Sequence, residues 1–218
     1  MDKITQWMKT FQKLCFQFIR RYWAILVFSA ILLIIGIIFG ALAVNQLDVV
    51  QKEDLKLYLQ NFFSVMENNG MNLSDEIFQL SLWNQLKTVG LIGLLGLSVV
   101  GFPIVIFLLF LKGITLGFSI GLLVYEFGFQ GFWFSAGTVF LQNFMIVPLW
   151  LLMVTFSLSF SIYFVQSVLS KQRVGLGRKF IVYFIQLICI AVLFVLPSLY
   201  EAFVSPYIIN YFAEHLTK

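Results

Sequence analysis

The stretch YWAILVFSAILLIIGIIFGALAV, residues 22–44, contains no charged side chain. A helix needs about 20 apolar residues to cross a hydrocarbon layer roughly 30 Å thick, because it rises about 1.5 Å per residue. The stretch is therefore predicted to span a membrane. The rest of the chain agrees, since 61% of its 218 residues are apolar and 11% are charged, whereas soluble domains carry about 25% charged residues. The expected class is an all-α polytopic membrane protein.

Further apolar stretches predict about five transmembrane helices in total. After residues 22–44, the predicted spans are residues 88–111, 113–132, 133–165 and 180–200. The span 113–132 is the weakest prediction, because Glu126 interrupts it, and a partly re-entrant hairpin is an alternative. The remaining segments are predicted as an amphipathic helix (1–21), a helical outer loop (45–87), a basic loop (166–179) and a tail (201–218).

Charge predicts the orientation of these spans. Ten Lys and Arg side chains lie on the side of the N-terminus and four on the other, while the acids divide one to nine. Because cytoplasmic loops carry the excess of Lys and Arg, the N-terminus is predicted to be cytoplasmic and the C-terminus extracytoplasmic. The same argument places Lys112 at the cytoplasmic surface, so residues 113–132 should cross. Ala41-Leu42-Ala43 resembles a signal-peptidase site, but the preceding apolar run is longer than a usual signal core, so we expect it to be retained.

The outer loop, residues 45–87, is the largest predicted soluble part. Apolar residues recur there at helical spacing, and a second helix is predicted from about Ser74, with Asp75 and Glu76 in its first turn, toward Trp83. The loop could be a lid on the outer ends of the spans or a docking surface for extracytoplasmic proteins. If it is a docking surface, the candidate contact residues are Tyr58, Phe62 and Phe63.

Small residues punctuate two of the spans. Glycines separated by three residues let two helix backbones approach closely. We interpret this pattern chiefly as packing within one chain, although it also allows a homo-oligomer. The glycines concerned are Gly36, Gly40, Gly113, Gly117 and Gly121.

Polar side chains inside apolar runs are costly in lipid and need a reason. The candidates are Gln142, Asn143, Gln186 and Glu201. Hydrogen bonding between helices is one interpretation, and a polar cavity or conduit is the other.

No catalytic constellation is recognisable. His215 is the single histidine, which argues against a histidine-based triad or a zinc centre. Cys15 and Cys189 lie in segments of opposite character, so neither a disulfide nor a metal site is expected. We therefore expect no enzyme activity, no cofactor and no nucleic-acid partner.

Four segments resemble the stage II sporulation protein M (SpoIIM) family. They are Gly96–Pro103 (GLSVVGFP), Phe110–Phe118 (FLKGITLGF), the Leu-Gln-Asn of residues 141–143 with Pro148, and Glu201–Pro206 (EAFVSP). The order of these glycine- and proline-based motifs is the specific part. The wider family often has a His-Gly pair and a downstream Glu, where this chain has Gln142-Asn143 and Val147.

The resemblance implies a role in the engulfment machinery of spore-forming bacteria. Members are expected to recruit membrane-anchored peptidoglycan hydrolases, SpoIID and SpoIIP, to the septum, on the mother-cell side, without cutting the wall themselves. The alternative function is a permease-like subunit of a membrane transporter, with the intramembrane polar residues lining its path.

Overall fold

The computed structural model describes residues 2–69, 74–169 and 176–208. Every regular element in these ranges is helical, which confirms the predicted all-α class. The elements are α1 (Asp2–Asn45), α2 (Val49–Asn69), α3 (Ser74–Gly96), α4 (Gly101–Ser135), a π-helical turn (Ala136–Phe140), α5 (Leu141–Leu169), α6 (Leu176–Leu193) and α7 (Val195–Phe203). Four stretches of the described chain are long and apolar enough to cross a bilayer, namely Tyr22–Asn45, Gly101–Trp133, Leu141–Ser167 and Lys179–Ile208.

Helix α1 is divided at Tyr22, whose φ of −112° and ψ of 15° interrupt the helical geometry. The part after Tyr22 packs one face against the bundle, where Leu33 and Val44 are buried. Its other face exposes large apolar side chains such as Ile31 and Phe39. An apolar surface of this kind suits lipid, because in water it would promote aggregation.

Helices α1 and α4 run parallel in close contact. Their contacts advance in the same chain order: Gly113 lies against Leu33, Gly117 against Ile37 and Gly121 against Ala41. Two neighbouring parallel helices need a connection that returns across the bundle. Helix α3 supplies this return.

Helix α3 runs antiparallel to α6 and α7 over most of its length. Near its start, Ser81 Oγ donates a hydrogen bond of 2.6 Å to Glu201 Oε2. Near its end, the carbonyl of Gly93 accepts a hydrogen bond of 2.9 Å from Tyr183 Oη. The bundle therefore has five traverses, made by α1, α3, α4, α5 and α6 with α7, consistent with the predicted number of about five.

The bounds of α3 and α4 differ from those expected from hydropathy. Helix α3 begins at Ser74, as predicted, but continues past Trp83 and Lys87 to Gly96. The turn at residues 97–100 then falls inside the stretch 88–111 that was predicted as one span. The physical reason is that α3 buries Val89 and Ile92 in the bundle core. Packing against other helices thus stabilises α3 within the bundle, although its first half is too polar for hydropathy to identify it as part of a span.

The chain reverses direction at Gly128, inside the residues assigned to α4. Its φ of 57° and ψ of −133° suit glycine, which has no Cβ to clash. Beyond it the chain folds back, so that Gly131 lies against Leu123. The residues after Gly128 form a helix that continues through the π-helical turn into α5.

Lys112 does not reach the cytoplasmic surface as predicted. It lies eleven residues after the first residue of α4, about 16 Å along the helix at 1.5 Å per residue, and is half-buried in the bundle. The prediction treated the charge as a boundary between two spans. Side chains from other helices instead allow Lys112 to lie within a single long helix, α4.

The core forms where α3, α4, α5 and α6 meet. Its fully buried side chains include Ile92, Leu109, Met153 and Phe194. Tyr183 stacks on Phe160 with ring centroids 4.6 Å apart. This core separates the end of the bundle that contacts α2 from the opposite end.

Candidate functional site

Helix α2 lies at the end of the bundle where α1 finishes and α4 reverses. Lys52 Nζ is 4.6 Å from the ring centroid of Tyr125, and Lys56 Nζ is 4.0 Å from Glu126 Oε2. Lys52 and Lys56 share one face of α2, because residues four apart are neighbours on a helix. The two contacts fasten the first half of α2 to the end of α4.

The opposite side of α2 is open. Tyr58 is 70% exposed, and Glu53 and Asp54 are exposed as well. Phe62 and Phe63 belong to the same helix, but their side chains lie outside the described part of the chain. Of the predicted docking residues, the structure thus shows Tyr58 as accessible.

Exposed aromatic side chains lie near the reversal at Gly128 and along the helix that follows it. The rings of Phe129 and Trp133 lie 6.2 Å apart, and those of Phe140 and Phe144 lie 6.4 Å apart. All four side chains are more than half exposed. Trp and Tyr rings mark the level of lipid headgroups in membrane proteins, and Tyr125 and Trp133 are each at least half exposed near the reversal. They indicate that α2 lies beside the membrane–water boundary at this end.

A polar cluster lies inside the bundle below α2. Lys112 Nζ is 5.4 Å from the ring centroid of Trp150 and interacts electrostatically with Glu201. Glu201 also accepts the hydrogen bond from Ser81, whose hydroxyl lies 3.3 Å from that of Ser198. These residues come from α3, α4, α5 and α7. Because charges away from water need partners, the cluster ties four helices together.

The polar residues predicted as a conduit do not converge on one place. Asn143 Nδ2 donates to the Val139 carbonyl at 2.7 Å near the start of α5, and Gln142 beside it is half-buried. Gln186 lines a cavity at the opposite end of the bundle. Glu201 belongs to the cluster with Ser81 and Lys112. The four side chains therefore lie at three separate levels of the molecule, with Gln142 and Asn143 together at one of them.

Sequence reasoning missed Ser81, Ser198 and Trp150 as members of the polar cluster. A serine or tryptophan in an apolar helix carries no distinguishing signal. Lys112 did carry one, because uncharged residues extend from Thr88 to Leu111 before it and from Gly113 to Tyr125 after it. A lysine in the middle of so long an apolar stretch favours an interior position with a carboxylate partner.

The glycines predicted for helix packing all lie where α1 meets α4. A Cβ added at Gly36 would lie 2.6 Å from the Phe110 carbonyl oxygen, and one at Gly113 would lie 2.5 Å from that of Leu33. Added Cβ atoms at Gly40 and Gly117 would also collide with backbone atoms, and one at Gly121 would lie 3.1 Å from Ala41 Cα. The contact is between backbones, with no room for a side chain.

Metal chemistry finds no support in the described ranges, where no group of three or more His, Cys, Asp or Glu side chains could hold an ion. The arrangement offers instead a tightly packed helical bundle with α2 in contact with one end.

Comparison with known proteins places this architecture in one family. The family model described as Stage II sporulation protein M matches residues 29–206. No curated protein and no solved structure matches the chain. The matched region covers the helical bundle and includes α2, α3 and the reversal at Gly128. The chain therefore belongs to the stage II sporulation protein M (SpoIIM) family.

Proposed function

We propose that this protein is a membrane scaffold of the sporulation engulfment machinery. It recruits peptidoglycan hydrolases of the SpoIID and SpoIIP kind and holds them at the septum, from the mother-cell side. Support comes from the family, which is a sporulation membrane family and not a known enzyme family. In this proposal the chain contributes position and its partners contribute chemistry.

The observation that carries the proposal is the attachment of α2. Lys52 and Lys56 contact α4 from one face of the helix, and the opposite face is open. That face presents Tyr58 beside Asp54. An exposed aromatic residue with neighbouring charges is typical of the centre and rim of a protein interface.

The side of the membrane on which α2 lies also matters, because peptidoglycan lies outside the cytoplasmic membrane. Helix α2 carries two Lys and Arg side chains, Lys52 and Lys56, whereas the segments 1–21 and 166–179, which adjoin the opposite end of the bundle, contain nine. By the positive-inside rule, the end carrying α2 faces the wall. The proposed docking face is then on the side where the hydrolases work.

The proposal is tested by co-purification of the detergent-solubilised full chain with the two hydrolases. Tyr58→Ala combined with Phe62→Ala and Phe63→Ala should reduce recovery of the hydrolases at least about tenfold, as expected when an interface loses its aromatic anchors. Trp23→Ala is the matched control, because Trp23 is an exposed aromatic residue of α1 remote from α2. Full recovery with the triple variant would contradict α2 as the dock.

A second candidate function, the permease-like subunit, is favoured by one observation. Lys112 and Glu201 are charged groups inside the bundle, and such groups often mark ion or substrate pathways in membrane proteins. Proteoliposomes containing this chain, alone or with an ATPase, should then show solute flux. Absence of flux, together with an unchanged sporulation phenotype for Asn143→Leu, would remove this candidate.

A further inference from the structure

A cavity of about 560 Å³ opens at the end of the bundle remote from α2. It lies between the first turns of the apolar part of α1, the end of α5 and the start of α6. Its volume falls within the range of about 300–1,000 Å³ that is usual for small-molecule sites. Neither the family assignment nor the scaffold function accounts for it.

The lining of this cavity has a polar mouth and an apolar floor. Lys179, Gln166 and Tyr163 come from the ends of α5 and α6, and Lys179 Nζ lies 3.1 Å from the ring centroid of Tyr163. Deeper in, the walls are mostly apolar, with Phe156 and Phe160 on α5, and Gln186 of α6 is a further polar group there. A ligand that fits must combine a polar head with an apolar body.

The charge at the mouth favours an anion. Lys179 is exposed, and none of the described lining residues is acidic. Residues 171–179 contain four Lys and Arg in nine positions. Lys side chains bind phosphate as point charges, and basic pockets between membrane helices bind anionic lipid headgroups.

A smaller cavity of about 180 Å³ adjoins the first and points to the body of the ligand. Ile25 and Ile162 belong to the walls of both. The other walls of the smaller cavity are the apolar side chains of Ala24, Phe28, Phe102 and Leu158. Apolar walls do not favour binding of a soluble anion. They do favour an acyl chain, because burying apolar surface is favourable.

We propose that this pair of cavities binds one anionic phospholipid. Its phosphate lies at Lys179 beside Gln166 and Tyr163, and its acyl chains occupy the floor of the larger cavity and the smaller slot. The bound lipid fills the space between α1, α5 and α6 and so completes the basic end of the bundle. This inference is independent of the proposed scaffold function.

The test measures lipid binding by the delipidated full chain in mild detergent. Phosphatidylglycerol, phosphatidylcholine and inorganic phosphate are added separately, and binding is followed by native mass spectrometry and by the melting temperature. Phosphatidylglycerol should remain bound at one molecule per chain and raise the melting temperature. Equal effects of phosphatidylcholine, or of inorganic phosphate alone, would overturn the proposal.

Three variants locate the site. Lys179→Gln should weaken phosphatidylglycerol binding about fivefold, the effect expected of one cation near an anionic headgroup. Lys87→Gln is the matched control, because Lys87 also lies over an aromatic ring, that of Trp83 on α3, but does not line either cavity, and it should leave binding unchanged. Ser159→Leu reduces the space of the larger cavity and should lower lipid retention. Undiminished binding by the Lys179 and Ser159 variants would overturn the proposal.

Discussion

Gly117 and Gly90 show at the scale of one residue how differently two glycines can serve a membrane helix. A Cβ at Gly117 would collide with the backbone of Ile37, whereas a Cβ at Gly90 would meet no atom within 4 Å. The first position needs a missing side chain and the second does not.

Gly117→Ala should therefore destabilise the bundle by about 1–3 kcal/mol, the usual cost of overpacking. The matched variant Gly90→Ala should stabilise it by about 0.5–1 kcal/mol, because alanine loses less backbone entropy than glycine in a helix. Thermal unfolding in detergent measures both. Equal effects of the two substitutions would show that α1 and α4 are not in backbone contact.

Lys112 and Glu201 form the second residue-scale case. Removing either partner leaves the other charge inside the bundle, so Lys112→Met and Glu201→Gln should each lower stability. The double variant should be more stable than the sum of the two losses predicts, with a coupling of about 0.5–3 kcal/mol. Unfolding of the four proteins of this cycle gives the coupling, and strict additivity would show that the two side chains do not interact.

Helix α3 is the element whose role depends most on tertiary contacts. Its traverse of the bundle predicts that Ser98, in the turn after α3, lies at the membrane surface on the side opposite Asp48. With hydropathy alone, residue 98 would lie inside the span 88–111 and be shielded by lipid.

Labelling of single cysteines tests this arrangement in a background without Cys15 and Cys189. An impermeant maleimide should label Asp48→Cys in intact cells and Ser98→Cys only after permeabilisation. Gly90→Cys, on the open side of α3, should stay unlabelled in both conditions. Failure of Ser98→Cys to react after permeabilisation would contradict the crossing of α3, and labelling of it in intact cells would contradict the orientation.

For the whole molecule, the described features separate by end. Helix α2 occupies one end, the lipid cavity the other, and a core sealed by glycine contacts and the Lys112 cluster lies between them. A closely packed bundle of this kind offers a base on which partners can be held.

Sporulation provides the test at this scale. Deleting the protein in a spore-forming bacterium should stop the septal membranes from migrating around the forespore. The triple variant of Tyr58, Phe62 and Phe63 should reach the membrane in normal amounts yet fail to restore engulfment, while Trp23→Ala should restore it. Restoration by the triple variant would contradict a docking role for α2 in cells.

The sequence by itself determined that the chain lies in a lipid bilayer, that it is helical, and which family it belongs to. Residues 22–44 are long and apolar enough for a spanning helix, which satisfies its backbone hydrogen bonds within itself, and the ordered glycine and proline motifs carried the resemblance that the family match confirms. The start of α3 at Ser74 also followed from local rules, through the acids of its first turn.

Only the tertiary structure decided where Lys112 lies and which helices traverse the bundle. Hydropathy sums over neighbours in the chain, whereas the cost of Lys112 depends on Trp150 and Glu201, which are distant in sequence. In the same way, Lys87 separated the predicted outer loop from the predicted span 88–111, whereas Ser81 and Gly93 of one helix, α3, bond to α7 and α6. Contacts between helices can compensate a buried charge, and no local pattern records them.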